Sequence, residues 1–240
     1  MKGISFIICT HSLRYGNLNQ TLRLLRKREQ RLFSQFRNEI VIVCQDQIPR
    51  IEGTHVVNLQ TPDYNRPRMC NIGVAMTQYD LCVLLDSDRV LPEDYYLKLL
   101  NMPRGCVCSA KYLYQLCKPH SDEKILSGQV IKEEDFRSAT VEPMKKNAFS
   151  GNTTIWRSDY QQMDESFIGY GFNDNDACQT AMAAGLELRL LDQVELHLYH
   201  RPLVTMDNNS NRENRLKTLE ENFIRYQTKW ITPQKLPNGP

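Results

Sequence analysis

The chain has 240 residues, of which 41% are hydrophobic and 24% charged. That is ordinary globular usage, enough to bury a core without staples. Thirty Lys and Arg against 28 Asp and Glu leave a net charge of +2. This argues against a protein bound mainly through dense nucleic-acid phosphate contacts, which needs a clustered basic face. The apolar runs are far shorter than a membrane span, and the first residues enter a strand without the apolar stretch of a secretory leader. A cytoplasmic protein with no membrane span is expected, its oligomeric state left open.

Residues 4–9 read as a strand. Asn17 is placed to cap a helix whose Leu18, Leu22, Leu25, Leu32, Phe33 and Phe36 follow three- and four-residue spacing. Strands are expected at 40–44 and 55–59, then a helix over 68–77 with Met69, Ile72, Gly73 and Met76 on one face. Residues 81–85 form an uninterrupted apolar run, as in a strand buried on both faces. The order β-α-β-β-α-β predicts a layered α/β domain with ligands at the carboxyl ends of its strands. Beyond it, residues 118–148 read as a polar insertion with one short helix. A small-residue helix at 173–185, strands at 186–190 and 194–199, and a last helix with Leu216, Leu219, Phe223, Tyr226 and Trp230 on one face complete the pattern.

The eight cysteines include Cys9, Cys44 and Cys82 inside or at the ends of apolar runs, where a free thiol acts as a small hydrophobe. Cys106, Cys108, Cys117 and His120 could supply four zinc ligands, but the first spacing is tighter than structural zinc sites favour. Reduced structural cysteines are the expected state.

Asp86-Ser87-Asp88 follows the buried strand directly, and two carboxylates at a strand end can converge on a divalent cation. Further landmarks accompany it. Tyr64-Asn65-Arg66 and Cys70-Asn71-Ile72-Gly73 precede the acidic strand, and Phe149-Ser150-Gly151-Asn152 follows it. Tyr170-Gly171-Phe172-Asn173-Asp174 enters a helix, and His200 ends the set. In this order they resemble metal-dependent glycosyltransferases of the GT-A fold, especially the β1,4-galactosyltransferase group and the catalytic domains of bacterial chondroitin polymerase.

The resemblance implies a single α/β domain over 1–240 with a central, mostly parallel (mixed) sheet flanked by helices. Residues 1–100 would form the nucleotide-binding half, 101–202 the acceptor and catalytic half, and 203–240 a lid and C-terminal helix. It implies sugar transfer from a UDP-sugar donor to a glycan acceptor hydroxyl. Asp86, Asp88 and His200 would bind the metal, Mn²⁺ by their mixed oxygen and imidazole donors, with Mg²⁺ possible. His197, three residues before His200 on an expected strand, is read as pointing to the opposite face. Asp174 would be the general base of an inverting transfer, with helix capping as its alternative role. Thr10, His11, Arg14, Asp46, Tyr64, Arg66 and Asp86 are nucleotide candidates; for Asp46 closing the turn competes equally. Gly151, Asn152, Tyr170, Gly171 and Asn173 are donor or acceptor candidates.

Tyr170, Phe172 and Asn173 replace the family's tryptophan, second glycine and glutamate, which leaves the acceptor open. A retaining N-acetylgalactosaminyltransferase-like enzyme and a non-catalytic nucleotide-sugar or glycan-binding module are the competing readings. A nucleotidyltransferase lacks support, since no Gly-rich phosphate loop lies near residue 10.

Overall fold

The computed structural model describes residues 3–32, 37–91, 93–99, 101–115, 140–143, 151–198 and 209–231. Strand β1 (Gly3–Thr10) is followed by helix α1 (Tyr15–Leu32), β2 (Arg37–Cys44), β3 (His55–Asn58), α2 (Arg66–Ala75) and β4 (Leu81–Asp86). Then come β5 (Arg89–Val90), α3 (Glu93–Leu99), β6 (Cys106–Gln115), β7 (Thr140–Pro143) and β8 (Asn152–Trp156). Helix α4 (Asn173–Ala183), β9 (Glu187–His197) and α5 (Asn209–Tyr226) end in a π-helical turn, Gln227–Ile231. Among the described residues no helix is long and apolar enough to cross a membrane.

The strands form one nine-stranded sheet in the order β3-β2-β1-β4-β8-β6-β9-β5, with β7 beside β6. β3, β2, β1 and β4 run parallel. β8 is antiparallel to β4 and β6, whereas β9 is parallel to β6. With β5 and β7 also antiparallel to their neighbours, the sheet is more evenly mixed than the sequence pattern suggests. Both faces are covered. Ile4, Phe6 and Ile8 of β1 pack with Leu18, Leu22 and Leu25 of α1 on one side. Ile7 and Cys9 pack with Met69, Cys70 and Val74 of α2 and with Ala177, Cys178 and Ala181 of α4 on the other. Each fully buried Ile or Leu contributes about 1.5–3 kcal/mol.

Several local departures from expectation matter for the site. α1 starts at Tyr15 after a 3₁₀ turn over Ser12–Arg14, because Asp46 takes hydrogen bonds from both the Ser12 amide and its hydroxyl. Asn17 is therefore inside the first turn and not its cap. α2 starts two residues earlier than expected: the Asn65 side chain accepts from Arg68 N at 3.0 Å and Pro67 occupies the first turn. That brings Arg66 onto the helix and buries it. Gly73 lets α2 lie directly on β1, since a Cβ there would collide with the Ile7 side chain; Met76, expected on this face, is 46% exposed.

β9 is one strand where two were expected, and an irregularity between Ala110 and Tyr112 of β6 accommodates it. The short helix expected within 118–148 and the tail of the α1 stripe at Phe33 and Phe36 lie outside the described residues. Residues 140–143 are instead a strand. Of the expected lid, 203–208 lie outside the description and 209–214 begin α5.

Candidate active site

β4 delivers Asp86 to the sheet's carboxyl edge, and two groups fix it there. Its backbone N–H donates to the Gly151 carbonyl at 2.8 Å, and its carboxylate accepts from Arg66 Nε at 2.7 Å. Gly151 has φ +69°, and a Cβ at that position would meet Asp86 Oδ2, so only glycine suits both the backbone and the approach. The second guanidinium arm, Arg66 NH1, donates to Asp174 Oδ1 at 2.8 Å. One buried arginine, 4% exposed, thus joins the acidic strand to the first turn of α4. The two carboxylates hold Arg66 well above the ordinary guanidinium range against burial, which pulls the other way. Burial raises the Asp174 carboxyl above the usual aspartate value, while Arg66 pulls it back down.

Asp88 belongs to a second ion network. Arg89 Nε lies 3.6 Å from Asp88 Oδ1, and Arg89 NH1 lies 3.2 Å from Glu195 Oε1. Glu195 is fully buried, and that burial pushes its carboxyl up to about 7. His197 Nε2 stands 3.6 Å from Asp88 Oδ2. This corrects the expectation that His197 faces away. In the antiparallel register His197 pairs with Arg89, and cross-strand partners share a face. The described strand β9 ends at His197, short of the residue from which the alternation is counted. His200 itself lies outside the described residues. Among the described residues no group of three or more His, Cys, Asp or Glu side chains is gathered as a metal site.

The remaining candidates surround these networks. Thr10 is buried at the end of β1, and its carbonyl accepts from Gln45 N at 3.0 Å. His11 packs edge-on against Tyr64, with ring centroids 5.8 Å apart. Burial lowers Arg14, whereas Asp88, Tyr64 and Asp86 oppose that shift. Asp46 commits both oxygens to Ser12 and also accepts from Cys44 Sγ at 3.0 Å, the geometry of a turn closure. Asn152 is fully buried, its Nδ2 donating to the Tyr95 hydroxyl at 3.2 Å.

Tyr170 is 49% exposed, with the Arg215 guanidinium 3.7 Å above its ring. Gly171 has φ +90°. Asn173 Oδ1 accepts from Asp174 N at 2.8 Å, the N-cap residue Phe172 makes no side-chain capping bond, and Asp174 turns to Arg66. Phe172, standing where the resemblance expects glycine, is held at φ +61°; its ring packs on Phe223 and Tyr226 with centroids 5.2 and 5.4 Å away. Asp176 is buried and accepts from Trp230 Nε1 at 2.7 Å and from Lys229.

Of the four residues that could supply zinc ligands, two are described. Cys106 and Cys108 are buried free cysteines, Cys106 Sγ donates to the Pro103 carbonyl at 3.1 Å, and burial pushes Cys108 up to about 12. Cys117 and His120 lie outside the described residues. Sequence reasoning missed Arg89, Glu195, Arg215, Asn222 and Lys229. Only Arg89, adjoining the acidic motif, carried a local signal.

Solved structures share this architecture. The catalytic domain of Drosophila β1,4-galactosyltransferase 7 in complex with xylobiose superposes with a TM-score of 0.55, covering 91% of this chain and 81% of that one at 15% identity. The chain has the GT-A glycosyltransferase fold. A mutant of the same Drosophila enzyme with manganese, UDP-Gal and xylobiose gives 0.51, at 14% identity over 90% of this chain and 80% of that one. GalNAc-T7 with UDP, GalNAc and Mn²⁺ gives 0.64 over all of this chain at 13% identity, and this chain spans 52% of its length. No family model and no curated protein matches the sequence.

Proposed function

We propose that the chain is a metal-dependent glycosyltransferase that moves a sugar from a UDP-sugar to an acceptor hydroxyl on a glycan, with inversion at the anomeric carbon. The observation that carries this reading is the Arg66 bridge. It brings Asp86, from the nucleotide half, and Asp174, from the acceptor half, to one guanidinium at the carboxyl edge of the sheet, where such folds bind ligands. The two halves act as one functional domain on this account.

Asp174 accepts the acceptor proton as the hydroxyl attacks. Its carboxyl, raised by burial and tempered by Arg66, is better matched to that task than a solvated aspartate. Asp86 and Asp88 would hold the cation, with imidazole from His197, His200 or both. The donor chemistry fits: the Asp88 carboxylate, in the turn between β4 and β5, and the His197 imidazole, at the end of β9, stand 3.6 Å apart, a mixed set that suits Mn²⁺. When bound, a divalent cation supplies Lewis-acid neutralisation of the UDP leaving group. Arg89 braces Asp88, and Glu195 balances the charge of Arg89. Tyr64 and His11 line the nucleotide side, and Tyr170 offers the acceptor an aromatic surface.

A screen of UDP-sugars for Mn²⁺-dependent hydrolysis identifies the donor. Asp88→Ala is expected to abolish metal-dependent UDP binding. Asp174→Asn is expected to lower turnover by at least 10²-fold while UDP binding stays within twofold. Turnover at the parental rate in Asp174→Asn overturns the base. The retaining N-acetylgalactosaminyltransferase reading draws support from the GalNAc-T7 superposition over the whole chain. Product anomer by NMR separates the two, since an α product from an α donor defeats inversion.

A further inference from the structure

Helix α5 is anchored to the body by a polar residue. Leu216, Phe223 and Ile224 are 55%, 40% and 55% exposed, whereas Asn222 is 0% exposed. Its side-chain Nδ2 donates to the carbonyls of Ile168, Tyr170 and Gly171 at 2.9, 3.2 and 3.1 Å. Its Oδ1 accepts from Arg225 NH1 at 3.0 Å. The whole amide is used, and two N–H groups serve three carbonyls of the acceptor loop.

The loop is pressed tightly on the helix. A Cβ at Gly171 would lie 2.5 Å from Leu219 Cδ1, and one at Gly169 would lie 2.9 Å from the Thr218 side chain. Tyr170 N donates to Thr218 Oγ1 at 3.3 Å. On the loop's other side Gly169 N donates to the Tyr64 carbonyl at 2.7 Å, two residues before Arg66. The chain leaves this clamp through Phe172, held left-handed by Phe223 and Tyr226, and reaches Asp174 two residues later. Lys229 adds a second tie, with Nζ 3.1 Å from Asp164 and 2.9 Å from Asp176.

We propose that Asn222 is the positioning residue for Asp174. By saturating the carbonyls of 168, 170 and 171 it fixes where the chain enters α4, and so sets the Asp174 carboxylate against Arg66. It touches no reacting atom and acts through the loop. This rests on the reading of Asp174 as base.

The test uses the full chain with Mn²⁺ and the UDP-sugar selected by hydrolysis, water serving as acceptor. Asn222→Leu keeps the branched shape with bulkier methyl ends and removes the donors; Asn222→Ala, which adds no bulk, guards against a fold failure in the first variant. Each is made in the parental and Asp174→Asn backgrounds. The expected result is a kcat at least tenfold lower, with donor KM and UDP affinity within twofold, and no further loss in the Asp174→Asn background. Hydrogen exchange at Gly169 and Asp176 should quicken while the amides of β1 and β4 stay protected. Losses that multiply with Asp174→Asn, or UDP affinity falling in step with kcat, overturn the positioning role and leave the base reading standing. Full activity of Asp174→Asn alone overturns the base reading, and with it the route by which Asn222 acts.

Discussion

Arg66→Met removes the guanidinium between Asp86 and Asp174 and leaves two carboxylates facing one another. Deleting one partner of a fully buried ion pair costs about 3–5 kcal/mol. Here the carboxylate side chains are 26% and 29% exposed, so solvent offsets part of that penalty, and about 2–3 kcal/mol is expected. For a chain of this length that lowers Tm by roughly 4–12 °C. Arg66→Lys is expected to lose about half as much, because one ammonium cannot reproduce the 2.7 and 2.8 Å contacts made by separate arms of one fork.

The pH dependence has a definite sign. Arg66 lowers Asp174 and burial raises it, so without Arg66 the folded-state value rises further. The penalty is then full above that raised value and disappears as pH falls towards the unfolded value, where the carboxyl is neutral in both states. The stability gap between Arg66→Met and the parent should therefore narrow on acidification. The acid limb of hydrolysis, which needs Asp174 ionised, should move to higher pH. Adding Asp174→Asn to Arg66→Met removes one of the two like charges, and the cycle should return a coupling of about 1 kcal/mol or more. The assay is urea unfolding from pH 4 to 8, roughly spanning the carboxylate range, together with the pH profile of turnover. Arg66→Met melting within about 0.5 kcal/mol of the parent, with an unmoved acid limb, would refute the bridge.

Two other outcomes follow from single contacts. At position 172, with φ +61°, Phe172→Gly should be more stable than Phe172→Ala by about 1 kcal/mol, reversing the usual advantage of alanine. Both should be less stable than the parent because the ring contacts with Phe223 and Tyr226 are lost. Urea melts that rank alanine above glycine would contradict the left-handed assignment. His197→Ala should weaken Mn²⁺-dependent UDP binding by about tenfold or more, read by calorimetry. Affinity within twofold of the parent would remove His197 from the site.

The N-terminal half was legible in the sequence because its signals are local. Apolar runs at β1, β2 and β4 declare strands, the last of them buried on both faces, and the acidic motif ends β4 whatever the rest of the chain does. The Gly171 turn and the start of α4 were likewise written in neighbouring residues. What only the tertiary structure decided is which distant charges meet. Arg66 joins Asp174, 108 positions away, because α2 begins two residues early and glycine at 73 lets it settle on β1. His197 meets Asp88 because a two-residue strand, β5, pairs with the end of β9, and a segment so short leaves no periodicity to read. Asn222 interrupts an apolar stripe that predicted burial for its neighbours, and its value lies in three carbonyls supplied from residues 168–171. Hydrophobic pattern is a property of neighbours along the chain. The pairing of buried charges and amides depends on through-space distance, which no spacing in the sequence encodes.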